Sequence, residues 1–255
     1  MKFRVPSSEF RVKNYALKVL IVVFLLVTGN CQLVAVCNAQ PSLPSELINI
    51  HTAYTPLRGD LATDFRIYDG GGVMAKIKLG IIDWLTFGLS LSVDGLIGSN
   101  TCVIVPGNPG VIAKIRVLDE MTTKNWPTIS LGYDNSKYAG IMGKGFYAVV
   151  SKEFPMGKMF QHGHGGIAYI GQVAPTFFLG YDIFFTQQLC AAVEIESVYN
   201  YNLSDGSPRG SQKLRSSIGF LYIPVPNLRI GLFVCAPVDE LLTREIHISY
   251  TAKLF

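Results

Sequence analysis

The sequence predicts an all-β chain, a closed antiparallel transmembrane β-barrel of about 12 strands. Three observations carry this reading. Apolar and polar residues alternate with a period of two through most of the chain after residue 60, the spacing that puts successive side chains on opposite faces of a strand. No stretch beyond residue 40 carries an apolar stripe at helical spacing free of Gly and Pro. Only 16% of the 255 residues are charged and 49% are hydrophobic, whereas an average soluble protein is roughly 25% charged. Such a composition excludes intrinsic disorder, because enough apolar surface is available to offset the entropy of ordering.

Residues 1–39 come first. Lys2, Arg4, Arg11, Lys13 and Lys18 stand against the single acid Glu9, Val19–Val27 is unbroken apolar sequence, and Cys37-Asn38-Ala39 supplies small residues at −3 and −1. A basic n-region, an apolar h-region and a small-residue site describe a secretory signal peptide, expected to be cleaved after Ala39. Val27-Thr28-Gly29 offers an earlier site. An uncleaved anchor over about 19–36 is the competing reading. It is weakened by the polar break Thr28–Gln32, which leaves less than the ~20 apolar residues of a span. Neither Cys31 nor Cys37 follows the small residue of a lipoprotein site. Removing residues 1–39 takes the formal charge from +4 to zero, and no long basic run remains, so nucleic acid is not an expected partner. Cys102, Cys190 and Cys235 are odd in number and widely spaced, which argues against a disulfide framework.

Residues 40–60 contain Pro, Ser and Thr and read as an extended N-terminal segment, leaving 61–255 as the barrel domain. The expected strands are 61–68, 73–80, 84–93, 111–118, 126–134, 144–151, 165–171, 176–184, 189–198, 214–223, 227–235 and 244–254. In the second, Val73, Ala75, Ile77 and Leu79 alternate with Met74, Lys76 and Lys78. In the third, Leu85 to Val93 alternate with Thr86, Gly88, Ser90 and Ser92. The fourth sets Val111, Ala113, Ile115 and Val117 against Lys114 and Arg116, and the fifth sets Ile129, Leu131 and Tyr133 against Ser130 and Asp134. The sixth to eighth are apolar on both faces. The ninth opposes Leu189, Ala191, Val193 and Ile195 to Glu194 and Glu196. The eleventh opposes Leu228, Ile230, Leu232 and Val234 to Arg229 and Gly231. The twelfth opposes Ile246, Ile248, Tyr250, Ala252 and Leu254 to Glu245, His247, Ser249, Thr251 and Lys253.

Alternation alone does not say which face is buried. A soluble sandwich hides its apolar face; a membrane barrel shows that face to lipid and lines its lumen with the polar one. With the N-terminus in the periplasm, the long connections 94–110, 135–143 and 199–213 fall outside, and the short ones at 81–83, 185–188 and 224–226 inside, as expected of such barrels. Residues 152–164 form a long inner exception. Trp84, Trp126, Phe184, Phe185, Tyr222 and Phe255 fall at inner strand ends, and Tyr68, Tyr133, Phe146, Phe177 and Tyr199 at outer ends, like the two aromatic girdles of a barrel. Phe255 ends an alternating strand and resembles the C-terminal signal read by the barrel-assembly machinery, although Lys253 stands where a hydrophobic residue or Tyr is usual.

The segments 108–116 (NPGVIAKIR), 126–134 (WPTISLGYD) and 145–152 (GFYAVVSK) resemble the YjbH-like outer-membrane proteins. The resemblance spans about 61–200 and implies an outer-membrane barrel with a link to exopolysaccharide production or export, and hence to surface-polysaccharide export components as partners.

Chemistry is sparse. His162-Gly163-His164-Gly165-Gly166 reads as a Gly-rich turn rather than a metal site, since no neighbouring ligand completes a known spacing. Gly70–Gly72 reads as a hairpin turn, and Gly107–Gly110 likewise. His247 with Ser249 shares a strand face but lacks an evident orienting carboxylate, so no catalytic residue, metal or cofactor is expected. The polar face is more informative. Lys76, Lys78, Lys114, Arg116, Asp182, Glu194, Glu196 and Arg215 are expected to face the lumen, because a lipid-facing charge costs about 2–4 kcal/mol at the bilayer midplane. They would form either a salt-bridged filling or a narrow polar pore. The expected function is a non-enzymatic outer-membrane channel or a structural or export-associated component. The alternative is a secreted soluble β-sandwich or lipocalin-like binding protein.

Overall fold

The computed structural model describes residues 43–98, 103–105, 108–123, 125–156, 159–171, 174–201, 208–237 and 242–255; the expected signal peptide and Cys102 lie outside them. Twelve strands follow one another: β1 (Asp60–Tyr68), β2 (Gly72–Ile82), β3 (Leu85–Val93), β4 (Gly110–Leu118), β5 (Thr128–Asp134), β6 (Gly145–Met156), β7 (Met159–Tyr169), β8 (Thr176–Phe184), β9 (Leu189–Tyr201), β10 (Pro208–Val225), β11 (Leu228–Pro237) and β12 (Thr243–Lys253). Each pairs antiparallel with the next. β1 closes on β12 from Asp60↔Lys253 to Ile67↔Ile246, so the sheet is a barrel without free edges.

Which face is inside is unambiguous. Lys76, Lys78, Lys114, Asp182, Glu194, Glu196 and Arg215 are all at most 5% exposed, whereas Phe87, Leu89, Val117, Leu131, Ile218, Phe220 and Leu232 are 48–61% exposed. A soluble sandwich would bury the second set. The wall is therefore turned inside out relative to a water-soluble fold, as in a membrane barrel.

Two expected boundaries change. Residues 152–164 are not a connection: β6 runs to Met156 and β7 starts at Met159, with Ser151↔His164 and Glu153↔His162 in register. The alternation fades there because Gly163 and Gly165 stand at outward positions of β7, beside the outward Phe154 and Leu179, where apolar side chains would mark the strand. Likewise β9 reaches Tyr201 and β10 starts at Pro208, which shortens the expected 199–213 connection. The long connections that remain opposite the termini are 94–109 and 135–144; on the termini side, 83–84 and 226–227 are tight, and 119–127, which holds one helical turn (Glu120–Thr123), is the long exception.

The aromatic pattern holds in part. Trp84, Trp126, Phe185, Tyr222 and Phe255 are exposed at the termini side, and Phe146 and Phe177 at the other. Tyr68 and Tyr199 are buried instead. Tyr68 shares the inward face of β1 with Arg66, and its hydroxyl donates to Asp94. At the β1–β2 hairpin, Gly71 has a φ of +71°, and the Ile97 amide bonds its carbonyl at 2.9 Å; a Cβ at Gly71 would collide with the Ile97 backbone.

The N-terminal segment is more than an extended lead-in. Residues 46–55 are buried. Glu46 and His51 bridge antiparallel, and the Leu47 amide donates to the Ile50 carbonyl at 3.0 Å. The segment is a tight hairpin lodged in the lumen.

Candidate functional site

The hairpin is amphipathic, and the lumen matches it side for side. Leu47, Ile48, Ile50 and Ala53 pack against Tyr147, Val149, Ala168, Phe178, Cys190, Ala192, Leu221 and Phe233, the inward residues of β6–β11. Gly180 makes the room: a Cβ there would run into Ile50 Cδ1 and Leu47 Cδ2.

Opposite, Glu46 enters a cluster of cations. Its carboxylate accepts from Arg66 of β1, from Lys76 Nζ at 3.0 and 3.1 Å and from Lys78 Nζ at 3.3 Å. Burial would raise the Glu46 pKa, but these three cations hold it well below the ordinary carboxylate value. His51 stacks on Tyr147 with ring centroids 4.1 Å apart, and its Nε2 is 3.3 Å from Asp134. Burial pushes the imidazole down to about 4 against the opposing pull of Asp134 and Glu46. Glu46, His51 and Asp134 bring ligand-type atoms within 4.8 Å of one another. The ammonium of Lys76, 3.0 Å from Glu46 and 3.4 Å from Asp134, already supplies the positive charge that this group would ask of a metal ion.

The wall also grips the hairpin backbone. Glu194 accepts from the amides of Ile48 (3.2 Å), Asn49 (2.9 Å) and Ile50 (3.2 Å), three successive N–H groups of a turn converging on one carboxylate. Lys114 Nζ donates to the carbonyls of Ser45 (2.7 Å), Thr52 (3.0 Å) and Tyr54 (3.2 Å). Ser151 Oγ accepts from the Ala53 amide at 2.8 Å and Ser130 Oγ donates to the Ala53 carbonyl at 2.6 Å. Asn49 Oδ1 accepts from Arg66 and from the Tyr138 hydroxyl, and its amide lies 3.6 Å from Cys235 Sγ.

The eight residues expected in the lumen divide into three groups. Lys76, Lys78, Lys114 and Glu194 hold the hairpin. Glu196 pairs with Arg215 and Lys144, and Asp182 pairs with His162 and His164. Arg116 sits at the termini-side mouth, only partly buried, bonded to the Asp83 carbonyl at 2.8 Å and paired with Asp119 at 3.3 Å. His162 and His164 thus lie on a strand, not in a turn, and Asp182 of the neighbouring strand is the partner absent from their local sequence. His164 also bonds Ser151 Oγ at 2.8 Å. That serine–histidine–aspartate string is fully buried, and its Oγ is taken by the Ala53 amide, so it anchors the hairpin. On β12, His247 bonds Glu245, two residues before it on the same polar face, at 2.9 Å, and Ser249 stands opposite Asp64 of β1 in the ladder. Phe255 is exposed beyond β12.

A cavity of about 280 Å³ remains on the termini side of the hairpin, between Leu43, Tyr54 and Leu57 on one side and Asp60, Arg116 and Thr251 on the other. Among the described residues, the hairpin thus spans the lumen between its two walls, with this cavity on its termini side.

Solved structures share this architecture. A KdgM porin matches at a TM-score of 0.50 and 12% identity, over 75% of this chain and 98% of that one. A KdgM porin in complex with disordered oligogalacturonate matches at 0.49 and 9% identity, over 75% and 98%. The outer membrane protein Omp33 of Acinetobacter baumannii matches at 0.45 and 8%, over 75% and 96%. No known sequence family and no curated protein matches the chain. The fold is that of a porin-like closed barrel, and the resemblance to YjbH-like proteins finds no support in these comparisons.

Proposed function

We propose that this protein is a non-enzymatic outer-membrane β-barrel channel for small polar solutes, exported through a cleaved signal peptide and closed by its own residues 43–57. The observation that carries the reading is the inversion of the wall: apolar side chains cover the outside and buried charges line the inside. An exterior of this kind is stable against lipid and unstable in water. Insertion by the barrel-assembly machinery through Phe255 follows from the same reading. Among the described residues, no feature of the lumen separately supports the link to surface polysaccharide.

The test uses the contact between Asn49 and Cys235. In the Asn49→Cys variant, oxidation is expected to tie the hairpin to β11 and abolish channel openings in planar bilayers, with openings returning on reduction. Heat-modifiable gel mobility in outer-membrane fractions tests placement. A barrel that never conducts, even when the hairpin is weakened by Glu46→Gln, would leave the structural role and remove the channel.

A further inference from the structure

The wall reads the hairpin backbone as well as its side chains. Glu194 takes three amides, Lys114 three carbonyls, and Ser151 and Ser130 the amide and carbonyl of Ala53. None of these contacts depends on the side chains of residues 45–54. Side chains add selectivity: the three-cation pocket that holds the Glu46 carboxylate, the Arg66 and Tyr138 donors to Asn49 Oδ1, the Asp134 and Tyr147 contacts of His51, and the apolar patch that receives Leu47 and Ile50 over Gly180. Both ends of the hairpin, Leu43–Pro44 and Thr55–Leu57, border the same cavity at the termini-side mouth. Residues 43–57 thus enter and leave the lumen on the same side.

We propose that the lumen is a peptide-binding site for which residues 43–57 are the resident ligand. It would accept in their place a short peptide carrying one carboxylate side chain directly before an apolar turn. The inference rests on residues 43–57 being a removable plug, as the channel reading also does. Charged wall groups suit such exchange, because water entering the lumen solvates Glu194 and Lys114 whenever the peptide leaves, and each returning backbone group replaces a water. A wall of apolar groups alone would hold a peptide without reading where its amides lie.

The test keeps the full chain. A site-specific protease sequence is placed after the exposed Leu57, the folded barrel is cut in detergent, and unboiled gel mobility confirms that the barrel survives. A synthetic peptide of residues 43–57, labelled at its N-terminus, is then added. The labelled peptide is expected to enter the cut barrel and not the uncut one. The same peptide with Glu46→Gln should compete roughly thirtyfold less well or worse, as for loss of one partner of a buried charged pair. The peptide N-methylated at residue 49, which keeps every side chain but loses an N–H facing Glu194, should compete about tenfold less well or worse. A cut barrel that takes up no labelled peptide overturns the proposal, and so does one that binds the modified peptides as tightly as the parent. Bilayer recordings separate the two readings: peptide exchange without conduction removes the channel alone, and conduction on cutting without peptide uptake removes the peptide site alone.

Discussion

The two sides of the lumen hold the same hairpin by different physics. On the β1–β5 side, Arg66, Lys76, Lys78, Lys114 and Asp134 make directional, charge-assisted contacts. On the β6–β11 side, Phe178, Val149, Leu221 and Phe233 bury Leu47, Ile48 and Ile50, with Glu194 set among them to fix the turn. The apolar side supplies non-directional adhesion that grows with area. The charged side is costly to desolvate and repays that cost only when every partner is in place. The charged side should therefore decide whether the hairpin is seated at all, and the apolar side how tightly.

The sharpest way to break this contrast is Glu46→Gln. It leaves Arg66, Lys76 and Lys78 buried together without their shared anion, which should weaken seating by about 3–5 kcal/mol. The expected outcome is a large rise in open probability in bilayers and faster protease cleavage within 45–55, with barrel mobility on unboiled gels unchanged. Normal protection would mean that the apolar side alone seats the hairpin.

Acid should act on the charged side in the same direction. The seated His51 titrates near 4, whereas a solvated imidazole titrates near 6.5. Above about pH 6.5 both states are neutral and seating is at full strength. As pH falls from there to about 4, the released hairpin takes up a proton that the seated one refuses, and seating loses up to about 3 kcal/mol. Glu46, held low when seated, adds a further loss of the same sign below its ordinary value. Channel openings should increase between pH 6.5 and 4, and His51→Gln should confine the response to the lower, carboxylate range. A response unchanged by His51→Gln would transfer the whole effect to Glu46.

On the apolar side the expected effect is smaller. Gly180→Val places methyl groups where Ile50 and Leu47 lie, and overpacking of this kind costs about 1–3 kcal/mol. Hairpin release should increase without any change in its pH dependence, since no titrating contact is touched. A shift in the pH midpoint would show that the two sides are coupled through the turn.

The sequence made the wall legible and the hairpin nearly invisible, for a physical reason. A strand with one face to lipid and one to a polar lumen records both environments in consecutive residues, so Lys76, Lys78, Lys114, Glu194 and Arg215 could be placed inward by parity alone. The hairpin has no comparable period, and its partners are remote: Ile48 and Glu194 are 146 residues apart. Two signals were nonetheless present. Leu47, Ile48 and Ile50 place three large apolar residues just before the first barrel strand, which marks a segment that packs. The inward faces of β1, β2 and β4 carry more cations than anions, and a buried excess of that kind requires an anion from elsewhere. Glu46 is that anion. His162 and His164 were misjudged because their partner, Asp182, stands on the adjacent strand rather than in the local sequence.

Arg116 is the smallest and most discriminating case, because parity treats it and Lys114 alike. They lie two residues apart on one face of β4, yet Lys114 is buried under three hairpin carbonyls, while Arg116 lies at the mouth beside Asp119 and Asp83. The ladder between β4 and β5 shifts register between Arg116 and Leu118, so regular pairing ends where Arg116 leaves the lumen wall. A partly exposed ion pair contributes about 0–1 kcal/mol, so Arg116→Ala should leave hairpin release unchanged within that range. Its remaining effect is electrostatic: the mouth loses a positive charge, and single-channel selectivity should move modestly toward cations, more at low salt than at high. Lys114→Met should do the reverse, releasing the hairpin because three carbonyls lose their donor. If the two variants behave alike in bilayers, position along the lumen would not matter and the distinction between mouth and grip would fail.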